Sequence, residues 1–246
     1  MAVGETAEAD VWRLRSRGCW AEAARLLKDS MDGAPEPRVA LQRTALLVEQ
    51  CMFTSAGWSE AEDALRLAEA VARTDAERGE AACERGYLAY ASTVLGVRDR
   101  ADEARAALGR SAALLEPDSP GRPLLDFRRG LMAEHLARNA PAARAAYRRA
   151  HAGATARGDA LLTSFTWRHL AGLALQDGNL DEARHGFTES LRLRESLGYL
   201  VGVAPALSAL ADAHPEPDAS RLRAEASRLV QLLGGIPVWL SAQLAA

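Results

Sequence analysis

Five histidines, three cysteines and a scatter of arginine and aromatic side chains are the groups in this chain with the means to do chemistry. The histidines stand at His135, His151, His169, His185 and His214, and none belongs to an HExxH or other compact ligand set. A metal or a catalytic triad would therefore have to be assembled from distant segments. His135 follows Glu134 directly, but neighbours on a helix point different ways, so the two need not meet. His169, beside Trp167 and Leu170, reads as a packed or helix-surface residue rather than a base. Cys19, Cys51 and Cys83 are 32 apart each time, yet no CxxC pair occurs. Three thiols in three separate helices read as small buried side chains. The sequence also lacks the GxGxxG and GxxxxGK[ST] phosphate loops and the GxSxG nucleophile elbow. The expectation is a chain that is not an enzyme, with no cofactor, no catalytic residue and no metal ligand.

Composition narrows the partners. A net charge of −3 argues against direct nucleic-acid binding, which needs a concentrated positive surface. No apolar run is long enough to span a bilayer, and Met1 to Asp10 has neither a basic nor an apolar region, so the expected location is the cytoplasm. Lys28 is the sole lysine, and arginine with abundant alanine suggests a GC-rich bacterial genome.

The elements that must position these groups announce themselves by repetition. A short phrase returns about every forty residues, each time opening an amphipathic helix: Trp20-Ala21-Glu22-Ala23, Trp58-Ser59-Glu60-Ala61, Ala101-Asp102-Glu103-Ala104, Ala140-Pro141-Ala142-Ala143 and Leu180-Asp181-Glu182-Ala183. Its alanines are spaced by 38, 43, 39 and 40. Such a period is the mark of stacked helical hairpins, because one hairpin cannot bury its apolar face alone. The predicted arms are 6–17 with 20–32, 37–55 with 58–74, 76–95 with 100–116, 123–138 with 141–157, 160–176 with 180–197, and 200–213 with 218–233. A closing helix starts near Val238. Gly33-Ala34-Pro35-Glu36-Pro37, Pro117-Asp118-Ser119-Pro120-Gly121 and His214-Pro215-Glu216-Pro217 break the pattern, since proline lacks the amide hydrogen a helix needs. In Asp177-Gly178-Asn179, glycine or asparagine can take positive φ and end a helix. Leu180, Ala183, Phe187, Ser190, Leu191 and Arg194 follow one helical stripe, with Asp181, Arg184, Glu189 and Arg192 turned to water.

Trp167, Leu170, Ala171, Ala183 and Phe187 fit the five most characteristic positions of a tetratricopeptide repeat, which this hairpin resembles. In the preceding hairpin Phe127, Ala143 and Tyr147 fit, whereas Gly130 stands where leucine is expected and Leu131 where a small residue is expected. Leu27, Leu65 and Leu108 replace the aromatic in the first three hairpins. The resemblance implies an all-α fold: a right-handed superhelix of about six antiparallel hairpins with a C-terminal capping helix, one domain over 1–246. The forty-residue period, and hairpin ends such as Arg157-Gly158-Asp159-Ala160, look like the sensor arrays of LuxR-type activators and antibiotic regulatory proteins.

The resemblance also implies where a ligand would touch, because the first helix of each hairpin lines the concave side. It points to Arg43 and Phe53 on the second hairpin, Tyr87 and Tyr90 on the third, Arg128, Met132 and His135 on the fourth, and Phe165 and Arg168 on the fifth. Arginine gives bidentate donors to carboxylates and aromatics give rigid apolar area. An acidic peptide or flat organic acid would suit such a groove. The plainer account has Arg128 and Arg168 solvated or paired with Glu134, Asp126 or Asp159, and the aromatics packed between hairpins. Asn139 and Asn179, both in turns, are the only asparagines, which argues against a carboxylate clamp of the chaperone type.

The functional expectation is a bacterial interaction or sensor module that binds a protein segment or small effector and acts in regulation. The alternative is an enzyme of specialised metabolism with its site in a helical cavity. Val238, Trp239, Leu240 and Leu244 could cap the last hairpin or dock on a second copy to make a homodimer.

Overall fold

In the computed structural model, which describes residues 2–31 and 35–245, every regular element is helical. Met1, and Gly33 and Ala34 of the first expected break, lie outside the described residues. The chain divides into two compact units, 1–128 and 129–246.

The first unit holds α1 (Ala2–Ser16), α2 (Trp20–Asp29), α3 (Pro37–Thr54), α4 (Trp58–Val71), α5 (Asp75–Val94) and α6 (Ala101–Leu114), with the start of α7 (Arg122–Leu131). From α1 to α6 each helix packs on the next in sequence, and α3 also packs on α5. The second unit holds the end of α7, a π-helical turn at Met132–Leu136, α8 (Ala140–Ala156), α9 (Ala160–Gln176), α10 (Leu180–Ser196), α11 (Leu200–Ala211), α12 (Asp218–Leu232) and α13 (Val238–Ala245). There α8 through α13 pack in sequence order, and α9 also touches α11. A contact between the first helices of successive hairpins, repeated in both units, is the pattern of a stacked helical repeat.

The repeated phrase has a packing cause. Ala23, Ala61, Ala104, Ala143 and Ala183 are all 0% exposed, so the small residue of each phrase faces the interior. Four residues on, Leu27, Leu65, Leu108, Tyr147 and Phe187 are buried too. The side chain at this position fills the space beside the alanine, and leucine does so as well as an aromatic. In the fifth hairpin a Cβ on Gly186 would lie 2.9 Å from that of Ala171, so small residues on both sides let α10 lie against α9.

Local chemistry sets the helix ends. Thr74 caps α5: its hydroxyl accepts from the Glu77 amide at 3.2 Å, while the Glu77 carboxylate accepts from the Thr74 amide at 2.9 Å. Asn139 and Asp159 cap α8 and α9 in the same manner, by accepting from Ala142 and Leu162. Of the two residues able to close α9, Gly178 takes the left-handed conformation (φ 81) and Asn179 stays at φ −83.

Two expectations need correction. The arm expected over 123–138 is α-helical only to Leu131 and then widens into the π-turn. On the α10 stripe, Leu180 is exposed and Arg194 carries its guanidinium into the interior. The terminal helix caps its own unit: Leu240 is buried against Val203, Ala204, Leu207, Ala226 and Val230, with Trp239 and Leu244 alongside. No helix among the described residues is long and apolar enough to cross a membrane.

Candidate functional site

The π-turn builds a part-buried polar cluster in the second unit. The Ala137 amide reaches back five residues to the Met132 carbonyl at 3.0 Å, and Asn139 reaches back six to Ala133 at 2.8 Å. This wider coil ends at Arg138, whose φ of 52 is left-handed, and Asn139 then opens α8. Insertion of a residue into a helical turn redirects side chains, and such turns often sit at functional sites.

Here Glu134 is aimed at α8 and α9. The Tyr147 hydroxyl on α8 donates to Glu134 Oε2 at 2.5 Å, and His169 Nδ1 on α9 lies 2.9 Å from the same oxygen. Tyr147 Oη and His169 Nδ1 are 3.3 Å apart, and the two rings stack with centroids at 4.9 Å. His135 completes the group. Its Nε2 is 3.6 Å from Glu134 Oε2 and its ring centroid is 5.8 Å from that of His169. Adjacent residues therefore do share one locus here, contrary to the expectation for a regular α-helix.

Burial and charge decide the protonation states. Desolvation by itself would raise the Glu134 pKa, but the bonds from His169 and Tyr147 and the field of the imidazoles outweigh it and hold the carboxyl at about 2. Burial pushes His169 down to about 4 against the pull of Glu134, with Arg168 and His135 adding to the depression. Burial likewise lowers His135, opposed by Glu134 and aided by Arg168 and Arg138. At neutral pH the cluster is a carboxylate and two neutral imidazoles, with the Tyr147 hydroxyl donating to the carboxylate. His169 is thus a packed residue, as expected, but one held by a specific carboxylate.

The residues proposed from the resemblance fall into two environments. In the first unit, Arg128 is 6% exposed and donates to Glu84 at 2.8 Å and Cys83 Sγ at 3.2 Å, with its guanidinium 4.6 Å from the Tyr87 ring. It neither reaches solvent nor pairs locally; its carboxylate partner lies on α5. Tyr90 is buried and stacks with Tyr87 at 5.9 Å, and Phe53 packs on Trp20 at 5.2 Å. Arg43 lies 3.6 Å from Glu60. Arg128 and Tyr90 are interior residues, and neither belongs to an accessible surface. Cys51 and Cys83 are buried, and burial pushes their thiols up, Cys51 to about 12, which makes them inert.

In the second unit, Met132, His135, Phe165 and Arg168 all keep partial exposure. The buried Arg194, which sequence reasoning placed on a stripe without a role, donates to the Gly202 carbonyl at 2.7 Å and lies 5.2 Å from the Phe165 ring. Phe165 also meets Tyr199 edge-on at 5.9 Å. Burial, with the charge of Arg168 next in weight, lowers Arg194 to about 9. Trp167 sits edge-on between His151 and His185 at 4.7 and 5.3 Å.

An open cavity of about 550 Å³ in the first unit is lined by Trp58, Glu62, Ser92, Arg98, Arg100 and Glu103 among others. Arg100 is already engaged there: it donates to Glu62 at 2.6 Å and to Glu103 at 2.7 and 2.8 Å. Glu134, His169 and Tyr147 were missed as a site because they lie 13 and 35 residues apart on three elements. The legible signal was the acid–imidazole pair Glu134-His135 one helix before a tyrosine at the buried repeat position.

Alanine-marked hairpins stacked in sequence, with Trp167, Ala171, Ala183 and Phe187 meeting as the tetratricopeptide pattern requires, define a TPR-like helical-repeat fold. Solved structures agree. BtubC (BKLC) from P. vanneervenii superposes with a TM-score of 0.56 at 14% identity, over 90% of this chain and 92% of that one. PilW, a widely conserved type IV pilus biogenesis factor, gives 0.51 at 16% identity, over 93% and 94%. No family model matches the chain, and no curated protein matches it.

Proposed function

We propose that this chain is an interaction module that binds a protein segment along the first helices of its second unit, and that it serves regulation in a bacterial cytoplasm. The observation that carries the reading is the continuity of partly exposed groups from the π-turn to α9. His135 and His169 lie together, Arg168 acts on both and on the buried Arg194, and the Arg194 guanidinium lies 5.2 Å from the Phe165 ring. Phe165 and Arg168, both partly exposed on α9, suit an extended segment with an acidic residue, the aromatic supplying area and Arg168 orientation. A protein segment fits better than a second copy, because α13 spends its apolar side inside its own unit. The regulatory role rests on the likeness of the forty-residue period to the sensor arrays of bacterial regulators. Three free thiols fit a reducing compartment.

Panning a displayed peptide library against the purified protein tests this. Recovered segments should carry an acidic residue, and Arg168→Ala or Phe165→Ala should weaken their binding about tenfold or more, as hot-spot truncation does. Recovery of no segment, or of segments indifferent to both substitutions, would refute the reading.

A small-molecule effector is a second form of the same reading. The enzyme alternative is favoured by one observation, the proton-sharing set Glu134, His169 and Tyr147.

A further inference from the structure

We propose that Glu134, His135 and His169 form a binding site for a divalent first-row transition ion, of which Zn²⁺ is the representative. The proposal goes beyond peptide recognition and does not depend on it.

Geometry is the first argument. One ligand atom from each residue lies within 4.8 Å of the other two. Glu134 Oε2 stands 2.9 Å from His169 Nδ1 and 3.6 Å from His135 Nε2. With metal–ligand bonds of about 2.0–2.1 Å, neighbouring donors in a tetrahedral shell are about 3.3 Å apart. The two edges at Glu134 therefore bracket the required length, and the His135–His169 edge lies within 4.8 Å, so a small side-chain movement closes the shell. His135 can supply that movement, because its side chain is 39% exposed, against 14% for Glu134 and 11% for His169.

Donor chemistry is the second argument. Two imidazole nitrogens and one carboxylate oxygen form a borderline set that suits zinc and its neighbours rather than calcium or magnesium, which take oxygen shells. Imidazole binds metal as the neutral ring, and each of these histidines has a nitrogen beside Glu134 Oε2. Where His169 now gives its Nδ1 proton to the hydrogen bond with Glu134, a metal would take the Nδ1 lone pair and the ring would keep its proton at Nε2. Arg168 opposes a cation nearby, and the Glu134 charge offsets it.

The surrounding shell is the third. Tyr147 fixes Glu134 Oε2 by a 2.5 Å hydrogen bond and stacks on His169, so it orients two ligands at once. Outer partners of this kind orient ligands and tune affinity in metal sites. Three protein donors leave a fourth position for water or a partner's side chain.

The test uses the full chain stripped with a chelator. Zn²⁺ is titrated in competition with a chromophoric chelator, and Co²⁺ is followed by its visible absorption. The expected result is one ion per chain. His135→Ala, which leaves the Glu134–Tyr147–His169 bonds in place, and Glu134→Gln should each weaken binding about tenfold or more, whereas His214→Ala should not. Circular dichroism confirms that each variant is folded, and if Glu134→Gln is not, His135→Ala decides alone. Absence of binding, or binding that His135→Ala leaves unchanged, would overturn the proposal.

Discussion

Tyr147 packs closely against Gly130: a Cβ built on that glycine would stand 2.4 Å from the tyrosine ring. The glycine that departs from the tetratricopeptide pattern is therefore the counterpart of the aromatic that fits it. Gly86 faces Leu108 in the same way, at 2.6 Å. Gly130→Ala should destabilise the protein by about 1–3 kcal/mol through overpacking. Tyr147→Ala in the same chain should recover part of that loss, because it removes the ring against which the new methyl group would press. Urea unfolding of the two single variants and the double variant measures both effects, and strictly additive losses would contradict the contact.

Acid should weaken the second unit in two stages. The folded pKa of His169 is depressed from 6.5 to about 4, so between those values the unfolded chain takes up a proton that the folded one refuses. Glu134 is depressed from 4.5 to about 2 and repeats the effect at lower pH. In both cases the unfolded state binds more protons, and stability is lost as pH falls. Unfolding free energy measured against pH in the presence of a chelator should show this decline, and His169→Gln should flatten the limb between about 6.5 and 4. His135 and His151, also lowered, keep part of that slope.

The buried pair of Arg128 and Glu84 should behave asymmetrically. Removal of one partner leaves the other charged and buried, so Arg128→Met should cost about 3–5 kcal/mol. The double variant with Glu84→Leu should be much closer to wild type, because two apolar side chains of similar size fill the space without an orphaned charge. A thermal-unfolding cycle over the four proteins reads the coupling. Loss of stability in the double variant equal to the sum of the singles would rule out a direct pair.

Truncation after Gly235 should expose the apolar surface of Val203, Leu207 and Val230 that Leu240 covers. The expected outcome is a lower melting temperature with aggregation, since the end of a repeat array needs a cover. A clean, stable monomer from that truncation would show that α13 is not a cap.

The sequence by itself determined the hairpins, their order and their period. Those features follow from local rules: the methyl-sized position at Ala23, Ala61, Ala104, Ala143 and Ala183, the prolines that stop helices, and the glycine that closes α9. Each rule acts within a few residues, so it can be read one segment at a time. The tertiary structure alone decided which polar groups meet. Arg128 finds Glu84 two helices back, and Glu134 finds Tyr147 and His169 through a π-turn that no local pattern announced. A charged side chain has no periodicity to betray its partner; its place is set by where the stacked backbones leave room and by the cost of burying it unpaired.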